Sequence, residues 1–172
     1  MLALLGAISQ EVAGLRKRMT LAEMRVYAHG PSFRGQLAGR DVLLAQTGMG
    51  RAQAEEALRL ALTRYPVTGI ISLGFAGALR LGLQAGDLVL CRWLLLGPAG
   101  GNEKPLASDG HLATAALRAG QSTSVSLHPG TSVTAERPLV SAAEKWALGR
   151  ATGARRRRVP RLRRRGVIAG AR

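Results

Sequence analysis

The chain has 172 residues, of which 47% are hydrophobic, a formal net charge of +15 and one cysteine. This length is enough to bury one core. Cys91 alone excludes an internal disulfide, no Cys/His cluster has metal-ligand spacing, and no apolar run reaches the roughly 18 residues of a membrane span. We therefore expect a cytoplasmic protein without a structural metal.

Strand and helix patterns alternate through the first half of the chain. Short apolar runs indicate buried strands, and apolar residues three or four apart indicate helices. In chain order, the patterns predict a strand at 2–7, a helix from an N-cap at Ser9, strands at 25–28 and 33–37, a turn at 38–41, a strand at 42–46, a helix at 54–65 that Pro66 ends, and a strand at 69–73.

The second half continues the alternation with longer polar stretches. Ser141 with Glu144 three residues later has the capping-box pattern that starts a helix. The predicted elements are a strand at 87–91, a loop at 97–111, a helix at 112–118, a strand at 123–127 and a helix from Ser141 through Leu148.

These elements predict an α/β fold with a central, mostly buried mixed β-sheet flanked by helices. Only 3% of the residues are aromatic, so the core has to be built from aliphatic side chains, as is typical of strands buried between helices. Five aliphatic residues are expected on adjacent buried strands of one sheet: Leu4, Leu44, Ile70, Ile71 and Val89.

Three segments of the chain carry family motifs. Residues 6–11 contain GAxxxE; residues 39–89 contain GxxVxLxxTGxG and then IISLGFAGALxxGLxxGDLV; residues 134–154 contain RPLVSAAEKxALxxxTGA. In this order and spacing they resemble the purine and uridine phosphorylase superfamily, especially its methylthioadenosine/S-adenosylhomocysteine nucleosidases and hopanoid-associated phosphorylases. The resemblance implies a partial phosphorylase or nucleosidase domain at residues 1–154, with the same α/β fold.

The resemblance also implies a reaction and a catalytic residue. Cleavage of a purine nucleoside's N-glycosidic bond passes through an oxocarbenium-like transition state, which carboxylates stabilise. Glu11 matches the family glutamate that positions or deprotonates the attacking water. The alternative is that Glu11 is only a first-turn acid favoured by the helix dipole.

The segment from Gly74 to Gly77 matches the family loop that lies beside the ribose and the nucleophile. The resemblance makes Phe75, Ala76 and Gly77 candidate nucleoside- or phosphate-binding residues. Phe75 stands where many members have a hydroxyl residue, so one donor to phosphate or water is missing. The alternative is a tight turn that needs glycine.

Gly48 and Gly50 precede a predicted helix and are further candidates for binding the nucleophile or phosphate. Backbone N–H groups at a helix N-terminus suit an anion, although such glycines also serve turns. Val133 falls near positions that cover the base in the family. No cofactor is expected, with phosphate as a candidate co-substrate.

Arginine dominates the end of the sequence. Residues 155–172 hold nine arginines and no acidic residue, and eight of the nine fall between Arg155 and Arg165. The family has at this point a buried strand with a D/E-M-E motif, whose last glutamate holds the ribose hydroxyls, and further on an aspartate that protonates the purine. Unpaired guanidinium groups are too costly to bury in a strand. We expect residues 155–172 to be a non-native or solvated tail, as a reading-frame change would produce.

The leading hypothesis is a purine-nucleoside phosphorylase or nucleosidase, with adenosylhopane as one candidate substrate, impaired in this truncated form. The expected partners are a small nucleoside and a second copy of the chain in a homo-oligomer. A protein that binds nucleic acid nonspecifically through Arg155 to Arg165 is the alternative from another class. A pseudoenzyme that kept the scaffold is the third.

Overall fold

A computed structural model describes residues 1–96, 104–123, 125–135 and 137–152. They belong to two structural units that divide between Gly74 and Phe75. The predicted tail at 155–172 lies outside the described residues.

A five-stranded mixed sheet forms the first unit, in the order β2-β3-β4-β1-β5. β1 pairs in parallel with β4 and β5, whereas β3 is antiparallel to both of its neighbours. The elements are β1 (Leu2–Gly6), α1 (Ser9–Arg16), β2 (Thr20–Tyr27), β3 (Gly30–Leu37), β4 (Arg40–Gln46), α2 (Arg51–Arg64) and β5 (Gly69–Ser72).

Successive side chains of a strand point to opposite sides, so the central strands β1 and β4 present apolar side chains to both faces of the sheet, and a helix packs on each face. On one face Leu4 and Leu44 pack with Val12 of α1. On the other face Ala3, Leu5 and Ala45 pack with a cluster that includes Leu58 of α2. The predicted α/β fold with a central mixed sheet between helices is confirmed.

The second unit contains a three-stranded sheet in the order β7-β6-β8. β6 is parallel to β8 and antiparallel to β7. The elements are β6 (Leu88–Leu96), β7 (Leu106–Ala107), α3 (Gly110–Ser122), β8 (Leu127–Thr134) and α4 (Ala142–Ala151).

Val89 does not share a sheet with the other four aliphatic residues. Those four lie on the adjacent strands β1, β4 and β5 as predicted: Leu4, Leu44, Ile70 and Ile71. Leu4 and Leu44 are buried as expected, but Ile70 and Ile71 are only half-buried because β5 is at the end of the sheet. Val89 is on β6, paired with His128 of β8 in the second sheet. An apolar run identifies a strand, but it contains no information about the strand's partners.

The predicted strand at 123–127 is wrong. α3 runs through Ser122, and the strand β8 begins only at Leu127. Thr123 still donates its backbone N–H to Ala119 O at 3.1 Å, so it completes the helix. The β-branched residues at 123 and 125 mimic a strand because side-chain type alone does not show where a helix ends.

Only part of the predicted loop at 97–111 is described, since residues 97–103 lie outside the described residues. The part that is described contains β7 and the start of α3. Asp109 caps this helix by accepting the backbone N–H groups of His111 and Leu112. The helix is longer than the predicted 112–118, because it begins two residues earlier, directly after this N-cap, and runs four residues further, to Ser122.

The capping box of α4 is confirmed and predicts a pH dependence. The Glu144 carboxylate accepts the Ser141 N–H at 3.1 Å and pairs with Arg137. The Ser141 backbone, followed by Arg137, lowers the pKa of Glu144 from 4.5 to about 2.

Folding therefore favours the ionised form of Glu144, and this stabilisation is complete above pH 4.5 and is lost as the pH falls towards 2. NMR titration of the Glu144 carboxyl should show the low pKa, and Arg137→Gln should raise it. An ordinary carboxyl pKa in the unchanged protein would contradict the capping geometry.

Candidate functional site

Three parallel strands of the first unit end side by side. β1 lies between β4 and β5, so the segments that follow these strands meet at one edge of the sheet, which is where α/β proteins bind ligands. Backbone hydrogen bonds join these segments: Thr47 N–H to Gly6 O at 2.8 Å, Gly48 N–H to Ala7 O at 3.0 Å, and Leu73 N–H to Leu5 O at 2.8 Å.

Glu11 lies at this edge, in the first turn of α1. Its Oε2 accepts the backbone N–H of Ala7 at 2.7 Å and that of Ile8 at 3.1 Å. Ile8 is the N-cap residue, so the prediction of Ser9 as N-cap is wrong. Ile8 has no polar side chain, and the Glu11 carboxylate reaches back to satisfy the N–H groups before the helix. The same carboxylate is thus fixed in orientation.

Gly74, which follows β5, lies against the same carboxylate. A Cβ atom built at Gly74 would stand 2.7 Å from Oε1 and 3.1 Å from Cδ of Glu11. Glu11 therefore occupies the space that any other residue at position 74 would need. Glu11 therefore contacts the first residue of the 74–77 loop, and the convergence of the whole loop with Glu11 on one concavity stays a prediction.

This contact predicts that Gly74→Ala destabilises the protein through Glu11. The new methyl group has to displace a carboxylate that holds two backbone N–H groups, at a cost of about 1–3 kcal/mol. In a Glu11→Ala background the space is empty, so the same substitution should cost much less. Urea denaturation of the four proteins measures this coupling. Equal costs of Gly74→Ala in both backgrounds would show that the contact is absent.

In the turn at residues 48–50, Gly48 is half-buried and bonded within the protein, whereas Met49 and Gly50 are exposed. Gly48 and Gly50 have φ angles of 77° and 100°, which favour glycine. The Gly48 N–H donates to Ala7 O, and a Cβ at Gly48 would stand 2.0 Å from Oε1 of Gln53. The prediction that this turn presents its N–H groups therefore fails for Gly48, and the alternative of a turn requirement explains that residue.

The remaining candidates belong to the second unit. Phe75 is 40% exposed, and Ala76 and Gly77 are exposed beside it. The side chain of Lys145 lies against Gly77, with Cε 3.3 Å from the position of a Cβ. Val133 is half-buried on β8.

The structure shows three further residues in contact with these loops, and the sequence analysis did not identify any of them as a site residue. Thr47 is buried directly after β4, and its hydroxyl group lies within hydrogen-bond distance of two backbone oxygens, Gly48 O at 3.1 Å and Gly6 O, at the end of β1, at 3.4 Å. Gln53 covers Gly48, and Lys145 contacts Gly77. A polar residue directly after a buried strand was the available signal for Thr47. Contacts made by Gln53 and Lys145 depend on how helices pack, which the sequence pattern does not show.

Over the described ranges, the structure has no group of three or more His, Cys, Asp or Glu side chains placed to hold a metal ion. Within the same ranges, no helix is long and apolar enough to cross a membrane.

Comparison with known sequences identifies relatives. The sequence model of the phosphorylase superfamily matches residues 1–156. The chain is 34% identical over 89 residues to a 5'-methylthioadenosine/S-adenosylhomocysteine nucleosidase from Shewanella denitrificans, a match that covers 52% of this chain and 39% of that protein. A nucleosidase of the same name from Bacillus thuringiensis is 35% identical over 89 residues, covering 52% of this chain and 38% of that protein. The aligned part therefore spans about two-fifths of these relatives.

Solved structures share the fold. The nucleosidase of Neisseria meningitidis, crystallised with methylthio-immucillin-A, superposes with a TM-score of 0.81 at 23% identity, covering 99% of this chain and 74% of that one. Futalosine hydrolase of Helicobacter pylori, studied as a mutant, superposes with a TM-score of 0.78 at 15% identity, covering 89% of this chain and 74% of that one. At these identities the likeness concerns the fold alone.

Proposed function

The chain belongs to the phosphorylase superfamily, and from this membership we propose that it carries the nucleophile-positioning part of a site that cleaves the N-glycosidic bond of a purine nucleoside. The observation that supports the proposal most directly is the Glu11 carboxylate. Two backbone N–H groups orient it at the carboxyl edge of three parallel strands, with Gly74 against its second oxygen.

The proposed reaction assigns Glu11 to the nucleophile. The bond between C1′ and the purine nitrogen breaks with its electron pair going to the purine, and the sugar develops oxocarbenium character. In hydrolysis, a water oxygen bonds to C1′ and gives a proton to Glu11, while the departing purine takes a proton from a general acid, a role that the family resemblance gives to an aspartate further on in the family sequence. In phosphorolysis, a phosphate oxygen bonds to C1′ instead. A fixed carboxylate also stabilises the positive charge on the sugar.

The proposed substrate class is a purine nucleoside with a modified 5′ position. The names of the Shewanella and Bacillus relatives support methylthioadenosine and S-adenosylhomocysteine. The motif at residues 134–154 resembles hopanoid-associated phosphorylases, which adds adenosylhopane as a candidate. Phosphate is the proposed co-substrate if the reaction is phosphorolysis.

The test uses a completed chain, which joins residues 1–152 of this protein to the part of the Neisseria nucleosidase that follows its counterpart of Thr152. We expect it to release adenine from methylthioadenosine. Sugar analysis with and without phosphate then separates hydrolysis, which gives a free sugar, from phosphorolysis, which gives a sugar 1-phosphate. A completed chain that folds but releases no purine from methylthioadenosine, S-adenosylhomocysteine or adenosylhopane would refute the proposed function.

A second candidate function rests on the arginines at 155–165. A cluster of eight arginines without acidic residues suits nonspecific contact with nucleic-acid phosphates. We propose that deletion of residues 155–172 removes most binding to random-sequence DNA and its salt dependence. Binding that survives the deletion would place the interaction elsewhere in the chain.

A further inference from the structure

β2 presents a row of apolar side chains to solvent on one face of the first sheet. The strand forms one end of that five-stranded sheet. Leu21, Met24 and Val26 are 37%, 56% and 71% exposed. They lie opposite alternate residues of β3 between Pro31 and Gly35, so all three are on the same face of the sheet. Neighbouring exposed apolar side chains of this kind mark an interaction surface.

The helix α1 packs on this face but covers only its central strands. Val12 of α1 packs with Leu4 of β1 and Leu44 of β4, and Phe33 of β3 packs against the same cluster. A helix is about 10 Å wide, whereas neighbouring strands are about 4.8 Å apart. A helix that lies over β1 and β4 therefore does not extend to β2, and the apolar row stays uncovered.

Basic side chains adjoin the apolar row on the same face. The guanidinium group of Arg16 lies 4.9 Å from the ring centroid of Phe33, which is the residue opposite Met24. Lys17 and Arg18 are exposed in the turn that leads from α1 to β2. From the second turn of α1 to the third residue of β2, the sequence contains no acidic residue. The apolar row and these basic residues together form the β2 surface: Leu21, Met24, Val26, Arg16, Lys17 and Arg18.

The acids of the neighbouring strands lie on the other face of the sheet. Residues 20–46, which form β2, β3 and β4, contain only two acids, Glu23 and Asp41. Glu23 lies opposite Arg34, and Asp41 lies opposite Gln36. Positions 34 and 36 alternate with the positions that lie opposite the apolar row, so their side chains point to the other side of the sheet. These strands therefore contribute no negative charge to the β2 surface.

We propose that the β2 surface docks onto an anionic phospholipid bilayer. The apolar row enters the boundary between headgroups and acyl chains, and the basic side chains contact the lipid phosphates, as in proteins that lie on a membrane without crossing it. Arg16 suits this position because its long side chain can hold the charge among the headgroups while its stem stays on apolar surface. A nucleic acid offers phosphates but no apolar phase for Met24 and Val26, so the bilayer fits both parts of the surface.

The test places a fluorescent reporter on the β2 surface of the full chain by Met24→Trp. The variant is mixed with vesicles whose acyl chains carry bromine, which quenches tryptophan only at close approach. We expect blue-shifted and quenched emission with phosphatidylglycerol and neither change with phosphatidylcholine. The unchanged chain corrects for Trp93 and Trp146. Adding Lys17→Glu and Arg18→Glu should raise the lipid concentration for half-maximal quenching by about tenfold or more.

Leu62→Trp is the matched control, because Leu62 is also an exposed aliphatic residue but lies on α2, which packs on the other face of the sheet. Every variant keeps the arginines of residues 155–172, so binding through them alone does not distinguish position 24 from position 62. Circular dichroism confirms that each variant is folded.

The proposal requires quenching at position 24 that exceeds quenching at position 62. Equal quenching at the two positions, or none at position 24, would overturn it. So would a quenching curve that the two charge reversals leave unchanged. A blue shift of Met24→Trp that random-sequence DNA or rising protein concentration produces without vesicles would assign the β2 surface to another partner and would also overturn the proposal.

Discussion

Glu11→Gln in the completed chain is expected to lower the rate of purine release about 100- to 10,000-fold. Glutamine retains an oxygen that can accept the Ala7 and Ile8 N–H groups, so the start of α1 is preserved. It cannot accept a proton from water or place negative charge beside the sugar. The loss should therefore appear in catalysis rather than in folding.

Two controls separate these effects. Glu55→Gln changes an exposed carboxylate on α2 and should leave the rate unchanged. The urea midpoint of Glu11→Gln should stay near that of the unchanged protein. A completed chain that keeps full activity with glutamine at position 11 would reduce Glu11 to a helix-capping residue, which is the alternative that the sequence leaves open.

The unaltered 172-residue chain is expected to release purine at least about 10⁴-fold more slowly than the completed chain. Arginines stand where the family resemblance expects the strand with the glutamate that holds the ribose, and residues 155–172 contain no carboxylate that could take the place of the family aspartate that protonates the purine. A general acid and an electrostatic contact to the transition state each increase the rate of purine release by a large factor. Glu11 acts on the nucleophile, so it cannot replace the glutamate that holds the ribose or the aspartate that protonates the purine.

Single-turnover release of purine from methylthioadenosine, adenosine and inosine, at chain concentrations above substrate, measures this difference. Deletion of residues 155–172 is the control, and it should change nothing further. Sequencing the gene across codons 150–172 tests the reading-frame explanation independently. A frame that encodes the D/E-M-E motif would show that the arginines replace a native strand.

Elements with strong local signals could be predicted from the sequence. β1 and β4 contain apolar runs and form the buried centre of the first sheet, and the apolar run of β5 forms a half-buried strand beside β1. α4 begins at Ser141 because the capping-box pattern is local and its hydrogen bonds involve neighbouring residues. Such signals depend on a few adjacent side chains, which the sequence shows directly.

Features that depend on distant contacts could not be predicted. Val89 has the same apolar surroundings in sequence as Ile70, yet the two lie in different sheets. Ser9 is a favourable cap residue, but Glu11 performs the capping because its side chain reaches the N–H groups of Ala7 and Ile8. Local propensity predicts what a residue can do, and packing decides which residue does it.

The sequence motif could predict which residue lies at the candidate site, but not all of the contacts made there. The GAxxxE motif places Glu11 in the first turn of the helix that follows β1, and its contact with Gly74 follows from the adjacent parallel strands β1 and β5. The hydrogen bond from the Gly48 N–H to Ala7 O forms only because two loops that are 41 residues apart in the chain lie close together. The sequence of either loop alone does not show how close the two loops lie.

Purine release from methylthioadenosine by four proteins in one assay, with and without phosphate, tests the central claim most directly. The four are the 172-residue chain and the completed chain, each with Glu11 or with Glu11→Gln. The account predicts substantial release only from the completed chain with Glu11. Robust release by the 172-residue chain that Glu11→Gln abolishes would show that this chain obtains the missing acid and ribose contacts elsewhere, and it would contradict the account.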